Sequence, residues 1–374
     1  MKNILKNKMI LSAFCLALAV VFTACSDWTE TESLDINKPT IGDQNPELYA
    51  QYLEALKAYK MSDHKIVYGV FNNNVPVAGS RAHHLTGLPD SVDMVCLMHR
   101  DTLPEWLVSE MQTVRAEKGT KTIYSISYTT IEALYKEKVE AEKPVEPTGN
   151  DGTGDGGTGE GEGGEDPQPE VDGFLAFCAE YMDYALALCD KYAYDGVSVF
   201  YNGRSLINMT PAETAAYHAR QEAFFAKVLT WADAHADKVL LFEGKPRNVK
   251  DAAILKRCRY IVLRTIDAVS ADELSFGVNS SLGGNIPADR YIVGVTAASV
   301  TDKSDDKGYF TVLDTDGKPM RAIVGAAYWV NTLHADYTKA GVMINNIQND
   351  YYNINTVYKY TREAISIMNP SPKN

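Results

Sequence analysis

Residues Lys191-Tyr-Ala-Tyr-Asp-Gly-Val-Ser-Val-Phe-Tyr-Asn-Gly203 decide the fold. They follow a long amphipathic run and read as a short buried strand leaving a helix. Asp195-Gly196 is the turn signal and Val197 to Tyr201 the β-rich run. Working outward, seven more runs read as strands: Ile66–Phe71, Met94–Met98, Thr122–Tyr128, Val239–Phe242, Tyr260–Ile266, Tyr291–Thr296 and Ala322–Trp329. Most are continuously apolar rather than alternating, as expected of strands covered on both faces. Helix-like runs fall between most of them, clearest at Glu105–Glu117, Phe174–Tyr192, Ala212–Ala236 and Ala335–Tyr351. Another, Pro46 to Lys60, carries Leu48, Tyr52, Leu53, Leu56 and Tyr59 at helical spacing.

Eight strand–helix alternations in roughly 310 residues predict an α/β fold, a single-domain (β/α)₈ barrel. An open doubly wound sheet is the alternative. No Gly-rich phosphate loop follows any strand, and Gly283-Gly284 is too short to be one. One segment breaks the pattern. Residues 144–170 hold nine Gly, four Pro and eight acidic residues with no Lys or Arg. That composition cannot bury a core and is expected to be disordered. Three strands precede it and five follow, so it reads as an insert in one barrel spanning 61–374, not as a domain boundary.

The 374-residue chain is 45% hydrophobic and 10% aromatic, enough to fill a sizeable core and leave aromatics for a surface site. Its formal charge of −13 argues against nucleic acid as a partner and is compatible with neutral sugars. Residues 1–24 read as an export leader: Lys2, Lys6 and Lys8 precede an apolar stretch, Met9 to Val21, too short to span a bilayer. Phe22-Thr23-Ala24-Cys25 resembles the lipobox of bacterial lipoproteins, which implies diacylation of Cys25. The alternative is an ordinary secretory signal with a chance cysteine. Cleavage would remove three lysines and leave a charge of about −16 on a chain tethered through residues 25–60. Ser26-Asp27-Trp28-Thr29-Glu30-Thr31-Glu32 resembles the surface-export signal of lipoproteins in glycan-foraging Gram-negative bacteria. The implied location is the outer membrane, exposed at the cell surface. Cys96, Cys178, Cys189 and Cys258 form no Cys-x-x-Cys pair, so neither a zinc site nor another cofactor is suggested.

The opening stretch resembles the signature strand of glycoside hydrolase family 18, the chitinases and endo-β-N-acetylglucosaminidases. That signature is Asp-Gly-x-Asp-x-Asp-x-Glu. Asp195-Gly196 keep its frame, while Ser198 and Phe200 replace the inner aspartates and Asn202 the proton-donating glutamate. Shorter resemblances accompany it. Ser125-Ile126-Ser127-Tyr128 stands where the family has Ser-x-Gly-Gly, so side chains fill space left open to sugar. Arg264-Thr265-Ile266-Asp267 stands for Met-Thr-Tyr-Asp, with Ile266 in place of the tyrosine that contacts the N-acetyl group. Gly325-Ala-Ala-Tyr-Trp329 resembles the Gly-x-x-x-Trp whose indole floors the sugar site.

In the family the substrate's own acetamido oxygen attacks the anomeric carbon, so a glutamate acid and an orienting aspartate are needed. Asn202 has no acidic proton, Phe200 cannot orient an amide, and Ile266 cannot hydrogen-bond an oxazoline. The resemblance therefore implies a glycan-binding barrel without catalysis. Trp329, Asn202, Tyr128, Glu243 and Asp267 are its candidate contacts, and an outer-membrane glycan importer with neighbouring glycosidases its implied partners. Plainer readings stand beside these: Trp329 and Phe200 as core, Glu243 and Asp267 as salt-bridged residues. Two other functions remain open: a hydrolase using Glu243 or Asp267 as a relocated acid, and a structural or protein-binding lipoprotein with a blocked cleft.

Overall fold

A computed structural model describes residues 41–143, 172–299, 302, 304–353 and 355–370. The leader, Cys25 and the acidic segment 144–170 lie outside these described residues. The chain divides into compact units between Tyr52 and Leu53, and everything below concerns the second.

Eight parallel strands close into a barrel. They are β1 (Ile66–Phe71), β2 (Met94–Leu97), β3 (Lys121–Ser127), β4 (Gly196–Tyr201), β5 (Val239–Gly244), β6 (Tyr260–Leu263), β7 (Tyr291–Thr296) and β10 (Lys339–Asn345). Sequential strands are neighbours from β1 to β7, and β10 closes the ring between β7 and β1. A two-stranded antiparallel hairpin, β8 (Tyr309–Leu313) and β9 (Pro319–Arg321), stands outside the ring. Side chains alternate across each strand. One set fills the lumen with Tyr68, Met94, Ile123, Leu241, Ile292 and Met343. The other packs under the helices in a larger core.

Among the described residues, eight α-helices follow the helix that ends at Met61. They are α1 (Glu105–Thr113), α2 (Tyr128–Ala141), α3 (Gly173–Lys191), α4 (Pro211–Ala234), α5 (Ala253–Arg257), α6 (Ala271–Asn279), α7 (Ala322–Val330) and α8 (Lys359–Met368). The start of α4 is written in Thr210-Pro-Ala-Glu213. Thr210 Oγ1 accepts from the Glu213 N–H, the Glu213 carboxylate accepts from the Thr210 N–H, and Pro211 fills the first helical position. The acidic segment falls in sequence between α2 and α3, hence between the third and fourth strands.

The eighth strand corrects the sequence reading. Ala322–Trp329 is helical (α7), and the strand is Lys339–Asn345, inside the run that reads as a helix. Nearly all of α7 is buried, so the helix lacks the polar stripe that would reveal its period. A short, continuously apolar run is ambiguous between strand and helix on periodicity alone.

Asp195-Gly196 has a structural task at the base of β4. The Asp195 carboxylate accepts from the N–H (2.8 Å) and hydroxyl (3.0 Å) of Thr122 and pairs with Arg115. A Cβ on Gly196 would lie 2.2 Å from the Val239 carbonyl oxygen, so only glycine lets β4 and β5 approach.

Candidate functional site

Ser198, Phe200 and Asn202 follow one another at alternate positions, so all three face the lumen and its C-terminal rim. The registers place Leu241 beside Ser198 and Glu243 beside Phe200, with Val262 beside Glu243 in turn. Glu243 is only 3% exposed. Its Oε1 accepts from Arg264 Nη1 at 2.8 Å and its Oε2 from Ser198 Oγ at 3.2 Å. The Arg264 guanidinium also lies over the Phe200 ring, 5.0 Å from its centroid. A carboxylate, a guanidinium, a hydroxyl and an aromatic ring thus close around one another just below the rim.

The electrostatics follow from burial. Desolvation pushes the Glu243 carboxyl above the usual range, opposed by the Arg264 charge and by the hydrogen bonds from Ser198 and Arg264. Its neighbours share the dry setting. Burial and the nearby Glu243 charge push the Cys96 thiol up to about 12, and the Tyr68 hydroxyl is raised by the same causes. Neither is a nucleophile or base near neutrality. Asn202 is half-buried at the rim, where its carbonyl oxygen accepts from Asn248 Nδ2 at 2.6 Å. Its side-chain amide can give and take hydrogen bonds with hydroxyls but cannot protonate a leaving oxygen.

The remaining sequence-predicted residues scatter. Ile266 is half-buried against the lumen layer. Asp267 is on the rim but 67% exposed, ion-paired with Lys307 at 2.8 Å. Tyr128 is not at the mouth. It opens α2, is 1% exposed, and packs against Phe174, Tyr201 and Phe224 in the layer outside the strands. Helix formation after Ser127 turns its ring away from any sugar. Trp329 is displaced further. It lies near the C-terminal end of α7, its indole N–H donating to Ser275 Oγ at 2.8 Å and its ring beneath Lys339 Nζ, the first residue of β10. That is the N-terminal end of the barrel, opposite Asn202, so Trp329 is core and the rim end of the eighth strand is Asn345. Among the described residues, no group of three or more His, Cys, Asp or Glu is placed to hold a metal.

Arg264 is the member of this cluster that sequence reasoning overlooked. Its signal was present: a lone cation directly after the apolar strand Tyr260–Leu263, one strand on from a candidate glutamate. Tyr68 left no such signal, because a tyrosine inside an apolar strand reads as filling.

A family model described as glycoside hydrolase family 18, BT1044-like, matches residues 29–367. The chain belongs to this family. Among solved structures, a substituted selenomethionine form of BT1044 aligns with a TM-score of 0.59 at 18% identity, covering 89% of this chain and 96% of that one. An endo-β-N-acetylglucosaminidase from Cordyceps militaris aligns in its apo form with a TM-score of 0.54 at 17% identity, covering 86% and 96%. Its doubly substituted mutant in complex with fucosyl-N-acetylglucosamine-Asn gives 0.55 at 17%, covering 85% and 95%. At these identities the likeness to solved structures concerns the fold. No curated protein matches the chain. In this chain Asp195 and Gly196 hold the base of β4, and Ser198, Phe200 and Asn202 follow on its inward face up to the rim.

Proposed function

We propose that this family 18 protein is a surface-anchored lipoprotein that holds N-acetylglucosamine-containing glycans without hydrolysing them. One observation carries the reading. Among the described residues, the carboxylate that meets the signature strand's inward face is Glu243, and it is engaged by Arg264 and Ser198. A family 18 mechanism needs one acid to protonate the leaving oxygen and a second carboxylate to align the acetamido group. Here those positions offer an amide and a phenyl ring.

Binding survives such losses more easily than turnover. The Cordyceps enzyme with an Asp and a Glu changed to amides is seen in complex with fucosyl-N-acetylglucosamine-Asn. Affinity for a sugar rests on hydrogen bonds and apolar faces, whereas rate rests on groups that act only in the transition state. Asn202 at the rim retains both donor and acceptor capacity.

A relocated acid is the alternative, and the raised carboxyl of Glu243 is what favours it. Its geometry opposes it: both oxygens are already engaged and the side chain is closed from solvent. Asp267 fails for the opposite reason, being exposed and bound to Lys307. Anchoring rests on Phe22-Thr23-Ala24-Cys25, and import of glycans by an outer-membrane complex is the context it suggests. Titration calorimetry with N-acetylglucosamine oligomers and with fucosyl-N-acetylglucosamine-Asn tests the binding. A measurable Kd supports the reading. Silence toward both ligands and across a glycan array would turn it toward a purely structural protein.

A further inference from the structure

A concave site opens on the rim of the barrel, beside the signature strand. It has a volume of about 470 Å³ and lies between the loops that follow β4 and β5, against the first turns of α4. Five basic side chains line it, Arg204, His218, Lys245, Arg247 and Lys250, and no carboxylate does. In a chain of net charge −13, such a lining runs against the overall composition. Two of the cations are already matched, Arg204 by Glu132 and Lys250 by Glu222. Lys245, Arg247 and His218 have no carboxylate at ion-pair distance among the described residues. Arg247 is steadied from one side only, donating from Nη1 to the Leu282 carbonyl at 2.9 Å.

Both loops are fixed by a buried network rather than left to solvent. Gln221 is 1% exposed. It donates to the Asn248 carbonyl at 3.1 Å and accepts from the Lys250 N–H at 2.6 Å. The Tyr217 hydroxyl accepts from the Arg204 N–H at 3.0 Å and meets the Tyr201 hydroxyl at 2.6 Å. Asn248 then reaches across to the Asn202 carbonyl. The cations therefore sit on a preorganised frame tied to the signature strand, which lowers the ordering cost of binding.

We propose that this pocket is a subsite for a carboxylate-bearing saccharide, with Lys245 and Arg247 taking the carboxylate. A guanidinium with free N–H groups matches a carboxylate's two oxygens, and a neighbouring ammonium adds charge without demanding a fixed angle. The volume falls within the range of small-ligand sites. Gly203 lines it directly after Asn202, and Asn248 bonds the Asn202 carbonyl, so it adjoins the rim position proposed to hold glycan and the proposal rests on the glycan-binding reading above.

The test is calorimetry of the full chain with a sialylated biantennary N-glycan and its desialylated form, with free N-acetylneuraminic acid and a sulfated glycan as further probes. Wild type is expected to prefer the sialylated glycan by about tenfold, equivalent to about 1.4 kcal/mol. The preference should shrink with added salt. K245Q/R247Q should lose it while keeping the affinity for the desialylated glycan and the wild-type melting curve. Equal affinity of wild type for the two glycans overturns the subsite and leaves glycan binding standing. A preference that persists in K245Q/R247Q also overturns it. If only acid-bearing ligands bind and the variant loses them, the subsite stands and the neutral-glycan reading falls. Preference for the sulfated glycan over the sialylated one overturns the carboxylate assignment, and no binding of any ligand overturns both readings.

Discussion

Removing Arg264 should strand Glu243. In Arg264→Ala the carboxylate keeps one hydrogen bond, from Ser198 at 3.2 Å, in a site only 3% exposed. Breaking a fully buried pair from one side costs about 3–5 kcal/mol. The Arg264 side chain is 37% exposed, so its charge is partly screened already and about 2–3 kcal/mol is the better figure. In a barrel of this size that corresponds to a melting temperature lowered by roughly 3–5 °C at pH 7. The sign of the pH dependence is fixed. Without the guanidinium, desolvation dominates and the folded-state pKa of Glu243 climbs further above its unfolded value. Stability is then fully present below the unfolded pKa and lost as pH rises through the folded one. The defect should therefore be small near pH 4 and grow toward pH 8. Glu243→Gln should relieve it in the double variant, giving a coupling of about 1–3 kcal/mol in a double-mutant cycle. Thermal unfolding by circular dichroism at several pH values measures all of this. A cycle with no coupling, or a defect that does not depend on pH, would refute the claim that Glu243 is held by Arg264.

Three further outcomes follow from other parts of the barrel. Gly196→Ala should leave the protein unfolded or insoluble, since the new methyl meets the Val239 carbonyl at 2.2 Å; a soluble variant with a native melting curve would contradict the packing described for β4 and β5. Trp329→Ala should cost about 3–5 kcal/mol of stability, as for other large aromatic truncations, and leave glycan affinity unchanged; lost affinity in a folded variant would place the indole in the site after all. His64 is buried against Asp93 at 2.8 Å. Burial lowers its pKa, but the hydrogen bond to Asp93 and that carboxylate's charge outweigh burial and leave it raised. Its contribution is thus present below the unfolded value near 6.5 and lost as pH rises through the folded pKa. The stability gap between wild type and His64→Gln should narrow from pH 6 to pH 8.5, and a gap that widens would reverse the assignment.

Seven of the eight strands were legible because buried parallel strands announce themselves as short apolar runs between turn signals. The eighth was missed at Ala322–Trp329 for the same reason: with water excluded on nearly every side, a buried helix leaves the same run of apolar residues as a strand. That error carried Trp329 from the base of the barrel to its rim. Ser198, Phe200 and Asn202 were correctly placed, since alternate residues of one identified strand need no further information. Tyr128 was not, because one residue past Ser127 the chain becomes helical and the ring swings outside. The pairing of Glu243 with Arg264 joins two strand ends 21 residues apart in sequence, and it is the parallel pairing of β5 with β6 that brings them together. The basic pocket was illegible for the same reason, being assembled from two loops and a helix start.

A family 18 barrel that binds glycans without cutting them must leave its ligands intact. The direct measurement is prolonged incubation of the wild-type protein with chitin oligomers and with N-glycans, products being read by mass spectrometry alongside a fluorogenic chitobioside. No cleavage above the buffer blank is predicted. Asn202→Glu should also remain inactive, because Phe200 still occupies the place of an orienting carboxylate and losing a general acid alone accounts for only about 10² to 10⁴ in rate. Turnover by the wild type that disappears in Glu243→Gln would contradict the account and make Glu243 the acid.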